Sequence, residues 1–337
     1  MSDLIELIHS ELLQSKSKRD GIVLGILTAI GNGIVSKGDA LPSVNKLIQN
    51  TGVARMTVVK ALNTLKERGI IVAENKVGYY VRDVNVQREL KVFLFLTGFY
   101  SYHEVFYNSI VEGVSDAGIT IDLYFHHCNI KTFKSVLQEN LGAYGLYVIT
   151  GFDHPQVKTL LARVPQKKLL QILRPPVLPE CSSVSQDFCS GLKKSLEKLR
   201  DRLARYEEFI LIFPSQLNHP TEIRDAFIGF CGENRIPCRI ENKLSRNLIS
   251  RGRAFWVIED SDLISLIRIG EEMGFHLGKE IGVISYNETP MKEIIRNGIT
   301  VVSADFSKMG KSIARFITNP VKTAEVYQPE VIMRNSL

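Results

Sequence analysis

Arg55, Thr57 and Lys60 are the residues whose types and spacing speak first of chemistry. A guanidinium is a planar fork of donors that pairs with a guanine edge or a phosphate. Thr57 and Lys60 stand three residues apart, so a helix carries them on one face. Gly78, followed by Tyr79, has no side chain and lets a backbone approach a phosphate. Ser43, after Leu41-Pro42, is placed to cap a helix that contains Asn45. Together these seven residues suit a polyanion with readable edges, which is double-stranded DNA.

Residues 41–81 supply the elements that would position them. Val44, Leu47 and Ile48 give a short helix its apolar face, and Asn50-Thr51-Gly52 is a tight turn. A second helix is expected over 53–68, burying Val53, Val58, Ala61, Leu62 and Leu65 and ending at Gly69. Strands at 70–72 and 79–81 flank a turn at 75–78. Helix, turn, helix and hairpin make a winged helix-turn-helix, whose second helix fits the major groove. Charge agrees: residues 15–82 hold eleven Lys and Arg against four acids, a net +7 in a chain of +6, which leaves the remainder near −1.

Residues 18–83 resemble the gluconate-repressor (GntR) family of bacterial transcription regulators. The matching pieces are Gly38-Asp39-x-Leu41-Pro42-Ser43, Gly52-Val53-x-Arg55-x-Thr57-Val58-x-Lys60-Ala61-Leu62, Leu65-x-x-x-Gly69-Ile70-Ile71 and Gly78-Tyr79-Tyr80-Val81. The resemblance implies DNA contact from the start of the second helix and from the wing, with a further helix at 18–30 packed beneath. It also exposes a departure, Asn45 where the family often has Arg or Lys, so the operator is expected to differ from the commonest family site.

Beyond a polar connector at 84–90, strand and helix patterns alternate. Strands are expected at 91–97, 120–125, 145–150, 168–173, 209–213, 238–240, 255–259, 281–285 and 300–302. Helices are expected at 104–117, 131–139, 155–164, 189–203, 221–234, 262–273 and 307–318. Apolar strands separated by helices predict a parallel, helix-covered sheet, and nine strands in some 250 residues fit two lobes better than one. The fold class expected is α/β: a winged helix-turn-helix over 1–83, joined by 84–90 to a two-lobed domain over 91–337.

That larger domain resembles the effector-binding domain of the lactose-repressor (LacI) family, which shares its fold with periplasmic sugar-binding proteins. The resemblance rests on Phe106-Tyr107 with Gly113, Val184-Ser185-Gln186-Asp187 with Gly191, Gly229-Phe230, Glu259-Asp260, the run 281–290, Asp305-Phe306 with Met309-Gly310, and the tail from Gln328 to Ser336. It implies a ligand in a crevice beyond the carboxyl ends of the strands. Sugar hydroxyls donate and accept, so carboxylates, amides and guanidinium groups suit them, and an aromatic face stacks on the ring. Phe106, Arg174, Asp187, Arg224, Glu259 and Asn287 are the candidates. Plainer roles stay open: Asp260 or Ser261 as a cap of the following helix, Asn287 as a turn residue, Phe106 as core. Several family positions are changed: a common arginine falls on Ala226, with Arg224 on a different helix face; a frequent Gln is Ala304; an acid is Asn287.

Other chemistries find less footing. Seven histidines form no HExxH pattern, and no GxSxG elbow or GxxxxGK[ST] phosphate loop occurs. Gly31-x-Gly33 follows a helix and reads as its C-terminus. Five cysteines, odd in number and without CxxC spacing, suit a reduced cytoplasm, and neither a metal nor a cofactor is expected. No apolar run reaches membrane-spanning length, and the N-terminus reads as an amphipathic helix. The expected protein is a cytoplasmic, non-enzymatic regulator, dimeric on operator DNA, a repressor governed by a small-molecule effector, foremost a monosaccharide. The alternatives are an α/β enzyme domain fused to a DNA reader, and a ligand-free dimerisation scaffold.

Overall fold

The computed structural model describes residues 2–15, 17–67, 69–74, 78–82, 90–214 and 219–337. The expected wing turn at 75–77, the end of the second helix at Arg68 and nearly all of the connector lie outside the described residues. By contacts the chain divides into two compact units: 1–93 with 116–122 and 131–147, and 94–115 with 123–130 and 148–337.

The N-terminal region starts with α1 (Ser2–Gln14), which buries Leu4 and Ile8, and α2 (Lys18–Gly31), capped by Ser17, whose hydroxyl accepts from the Asp20 N–H at 3.1 Å. These two helices meet through glycines: a Cβ at Gly25 would lie 2.6 Å from the Ile8 Cα, and one at Gly21 2.9 Å from the Leu12 Cα. Next come α3 (Val44–Thr51), α4 (Arg55–Glu67), β1 (Ile71–Glu74) and β2 (Gly78–Val81). Val58, Ala61, Leu62 and Leu65 of α4 are buried, as their spacing predicts, and join Ile22, Ile26 and Leu47 in one core. Strands β1 and β2 pair antiparallel, Ile71 opposite Val81. Backbone bonds from Leu41 N–H to the Tyr79 carbonyl (2.8 Å) and from Gly38 N–H to the Val81 carbonyl (2.8 Å) lay residues 38–41 along the other edge of β2.

The rest of the chain builds two six-stranded sheets. The first contains β3 (Leu90–Leu96), β4 (Ile119–Phe125), β5 (Leu146–Ile149), β6 (Leu169–Leu173), β7 (Ser182–Gln186) and β13 (Ala324–Tyr327), in the order β13-β7-β6-β5-β3-β4. In the second, β8 (Glu208–Ile212), β9 (Cys238–Glu241), β10 (Arg253–Val257), β11 (Ile281–Tyr286), β12 (Thr300–Ser303) and β14 (Glu330–Ile332) run in the order β14-β12-β11-β10-β8-β9. All pairs of the second sheet are parallel except β12–β14. The chain therefore crosses between sheets after β7, after β12 and between β13 and β14.

Helices α5 (Tyr102–Val114), α6 (Ile130–Asn140), α7 (Pro155–Leu161), α8 (Ser190–Glu197), α9 (Arg200–Leu203), α10 (Glu222–Asn234), α11 (Asp260–Glu272), α12 (Pro290–Ile294) and α13 (Phe306–Thr318) alternate with the strands. The single helix expected at 189–203 is broken at Lys198–Leu199. Although α13 follows a strand of the second sheet, it packs on α5: a Cβ at Gly310 would lie 2.7 Å from the Phe106 carbonyl oxygen, and one at Gly113 2.5 Å from the Ala314 Cβ. Trp256, Phe209, Phe227 and Phe230 fill the core beneath one face of the second sheet. Among the described residues no helix is long and apolar enough to cross a membrane.

Candidate functional site

Two groups of residues stand apart from the cores, and the first lies at the start of α4. Ser43 caps α3, its hydroxyl accepting from the Lys46 N–H at 3.3 Å, and Gly52 ends that helix at φ 66°. The tight turn that follows brings the exposed Arg55 against the exposed Asn45, and Arg55 Nη1 donates to Asn45 Oδ1 at 2.9 Å. One guanidinium edge is thus held by an amide, which fixes the fork before any ligand arrives. Lys60 is exposed and Thr57 half-buried. Met56, next to Arg55 and absent from the sequence-based candidates, is 67% exposed. Gly78 sits at φ 146°, a conformation L side chains rarely adopt, and Tyr79 lies half-buried against the core.

The second group surrounds a cavity of about 40 Å³ at the carboxyl ends of strands from both sheets. From the first sheet come Thr97, Tyr100 and Tyr102 after β3, Thr150 after β5, Leu173 and Arg174 at the end of β6, and Gln186 at the end of β7. The second sheet contributes His219 and Pro220 after β8 and Tyr286 and Asn287 at the end of β11. Leu173 is turned into the left-handed region (φ 67°), which swings Arg174 out of the strand. Asn287 adopts φ 60°, which asparagine tolerates better than most residues.

The polar groups of the cavity wall divide into partnered and orphaned. Glu259 receives a 2.7 Å hydrogen bond from His219 Nε2 and so reaches the wall through that ring. Tyr100 and Tyr102 stack at 5.8 Å, and Tyr102 stacks on Phe306 at 4.4 Å. Burial pushes the Tyr100, Tyr102 and Tyr286 phenols up, so all three stay neutral donors at pH 7. His126 is buried beside the cavity; its Nε2 donates to the Thr150 carbonyl at 3.0 Å, and burial lowers its pKa to about 3. Among the described residues, two side-chain atoms on the wall are buried without any partner: Thr150 Oγ1 and Asn287 Oδ1. An orphaned buried acceptor costs about 1–3 kcal/mol until something donates to it.

Of the sequence-based candidates, Arg174 and Asn287 are therefore on the wall and Glu259 one contact behind it. Three others lie elsewhere. Phe106 is fully buried in α5 beneath α13, because its helix face is the one that packs. Asp187 accepts from the Cys189 N–H (2.9 Å), Ser190 (2.7 Å) and Gln328 (3.0 Å), which commits it to the start of α8. Arg224 is exposed and lies over the Phe213 ring at 5.9 Å. Strand β10 ends at Val257, two residues short of expectation, which leaves Glu259 at the N-cap of α11 with no capping bond. Sequence reasoning missed Tyr100, Tyr102, Thr150, His219 and Tyr286; the available signal was that Tyr100, Thr150 and Tyr286 stand at or just beyond the ends of apolar strand runs. Among the described residues no group of three His, Cys, Asp or Glu could hold a metal ion.

Comparison with known proteins agrees with this architecture. Residues 18–81 match the bacterial regulatory proteins of the gntR family. The match spans the N-terminal domain, which is similar to that family. Residues 197–337 match the periplasmic binding protein-like domain. Among solved structures, the Escherichia coli trehalose repressor is similar at 14% identity and TM-score 0.60, covering 72% of this chain and 100% of its own. A dimeric Lac repressor with an 11-residue C-terminal deletion is 15% identical at TM-score 0.62, over 73% and 98%. A periplasmic binding protein/LacI transcriptional regulator from Alkaliphilus metalliredigens, complexed with D-xylulofuranose, is 11% identical at TM-score 0.57, over 73% and 98%. The protein is a transcription regulator that joins a gntR-type DNA-binding domain to a periplasmic binding protein-like domain.

Proposed function

We propose that the protein is a cytoplasmic repressor whose grip on operator DNA is set by a monosaccharide bound between the two lobes. The observation that carries this reading is the cavity wall. It combines neutral phenols and a guanidinium as donors with two orphaned oxygens, Thr150 Oγ1 and Asn287 Oδ1, that call for a ligand able to donate. A polyol both donates and accepts. The D-xylulofuranose held by the Alkaliphilus regulator is a ligand of that class on the same fold. At about 40 Å³ the cavity is far below the roughly 300–1,000 Å³ of small-molecule sites, so the lobes have to part to admit a sugar ring.

On this reading residues 1–83 read DNA, 84–90 connect, and 91–337 bind the effector. Ser43, Asn45, Arg55, Thr57, Lys60, Gly78 and Tyr79 form the DNA surface; Arg174, Glu259 and Asn287 serve the effector. A homodimer, the state named for the Lac repressor neighbour, matches paired half-sites. Effector changes operator affinity only as far as it binds the two states unequally. The experiment is a thermal-shift panel of monosaccharides, followed by operator binding with and without each stabilising sugar. A sugar that raises the melting temperature, is recovered intact and weakens operator binding supports the proposal. Conversion of the sugar to product points to an enzyme, and absence of any shift points to a scaffold.

A further inference from the structure

Three polar residues at helix starts forgo the capping bond their positions invite. Ser101 stands at the N-cap of α5 and Glu259 at the N-cap of α11, and neither side chain caps its helix. Asp260, the first residue of α11, likewise directs its carboxylate elsewhere. Glu259 takes His219. Ser101 and Asp260 take each other: Ser101 Oγ donates to Asp260 Oδ2 at 2.8 Å, although the two residues are separated by 159 positions and follow strands of different sheets.

Asp260's second oxygen has an equally specific role. Lys292, only 3% exposed, places its Nζ 2.7 Å from Asp260 Oδ1. The same ammonium donates to the backbone carbonyls of Tyr286 (3.0 Å) and Asn287 (2.8 Å). All three donors of Lys292 are thereby used, and the cation fixes Asp260 from behind. Burial lowers the Lys292 pKa, and the carboxylate of Asp260 opposes that shift. One end of this chain of contacts lies between Tyr100 and Tyr102 on the first-sheet side of the cavity. The other holds the turn of Tyr286 and Asn287 on the second-sheet side.

We propose that Ser101, Asp260 and Lys292 form an inter-lobe clasp that keeps the ligand-free cavity shut and positions the Tyr286–Asn287 wall. Asp260 is its hub, joining a loop of one lobe to a buried cation of the other. The clasp sets how readily the lobes part, and so the fraction of molecules open to a ligand and the apparent affinity. It rests on the effector reading only for that last consequence; the clasp itself is a property of the empty protein.

The test is therefore hydrogen exchange on the full-length protein without ligand. Ser101→Ala is expected to speed backbone exchange about fivefold in two separate segments, 98–104 and 286–292, as fits the loss of one hydrogen bond. Ser101→Thr, which keeps the hydroxyl, restores the slow rates. In an Asp260→Ala/Lys292→Met background, which removes both charges together, adding Ser101→Ala changes neither segment further. Acceleration confined to 98–104, or additive effects in that background, overturns the clasp. Because no sugar is present, failure of the clasp and failure of the sugar reading are separately visible.

Discussion

Replacing Asn287 with glycine isolates what its amide contributes. The residue sits at φ 60°, its N–H donates to the Val302 carbonyl at 3.0 Å, and its carbonyl accepts from Lys292. All of that is backbone, and glycine keeps it. What is lost is Oδ1, buried and unpartnered in the empty cavity. If a bound sugar hydroxyl donates to this oxygen, its removal costs about 1–3 kcal/mol, or roughly 5- to 150-fold in ligand affinity. Unliganded operator binding stays at the wild-type level. Asn287→Ala loses the same contact but, unlike glycine, keeps a Cβ on the left-handed backbone, a strain of about 1–2 kcal/mol that places its ligand-free melting temperature below the glycine variant's. The assay is operator affinity across a titration of the sugar found by thermal shift, for wild type and both variants. By linkage, the factor by which sugar changes operator affinity equals the factor by which operator changes sugar affinity, so either titration gives the shift. Coincident midpoints for wild type and Asn287→Gly would refute the assignment of this amide to the ligand.

Three further outcomes are expected. Arg55→Ala should weaken binding to the native promoter by about 1–3 kcal/mol if the fork held by Asn45 makes a bidentate base contact; gel shift at fixed salt reads it, and unchanged affinity removes Arg55 from the DNA surface. Gly25→Ala drives a methyl to within 2.6 Å of the Ile8 backbone, so α1 must move and stability should fall by about 1–3 kcal/mol in urea unfolding; an unchanged midpoint would show that α1 is not packed there. The pH dependence follows from His103 and His126, whose folded pKa values are lowered to about 4 and about 3 from 6.5. Both are neutral when folded, so the unfolded chain binds more protons below pH 6.5, and stability is present above that value and lost as pH falls. The slope approaches about 1.4 kcal/mol per pH unit for each histidine between pH 6 and pH 5, before most carboxylates titrate. A melting temperature flat from pH 7 to pH 5 contradicts the neutral buried pair.

The legible and illegible parts of this chain differ for a physical reason. In the N-terminal domain, buried and exposed positions of α4 separate along the sequence. Val58, Ala61, Leu62 and Leu65 repeat with the helical period and are buried, while Arg55 and Lys60 fall on the exposed side, so one pattern predicted both. The larger domain is less cooperative. Strand β7, Ser182-Ser183-Val184-Ser185-Gln186, is buried throughout yet mostly polar, so no apolar run announced it, and β13 and β14 are too short to leave a pattern. The cavity is harder still, because its residues are defined by tertiary neighbours. Asp187 and Glu259 look alike in sequence, each a carboxylate after a strand. One is held by Cys189 and Ser190 within its own turn, with Gln328 joining from beyond β13; the other has no local donor and reaches forty residues to His219. No periodicity separates those fates. The arithmetic of hydrogen bonds does: a carboxylate with local donors caps, and one without them is available to a distant partner. By that criterion Ser101, Glu259 and Asp260, helix-start residues, are the ones whose side chains reach partners far along the chain.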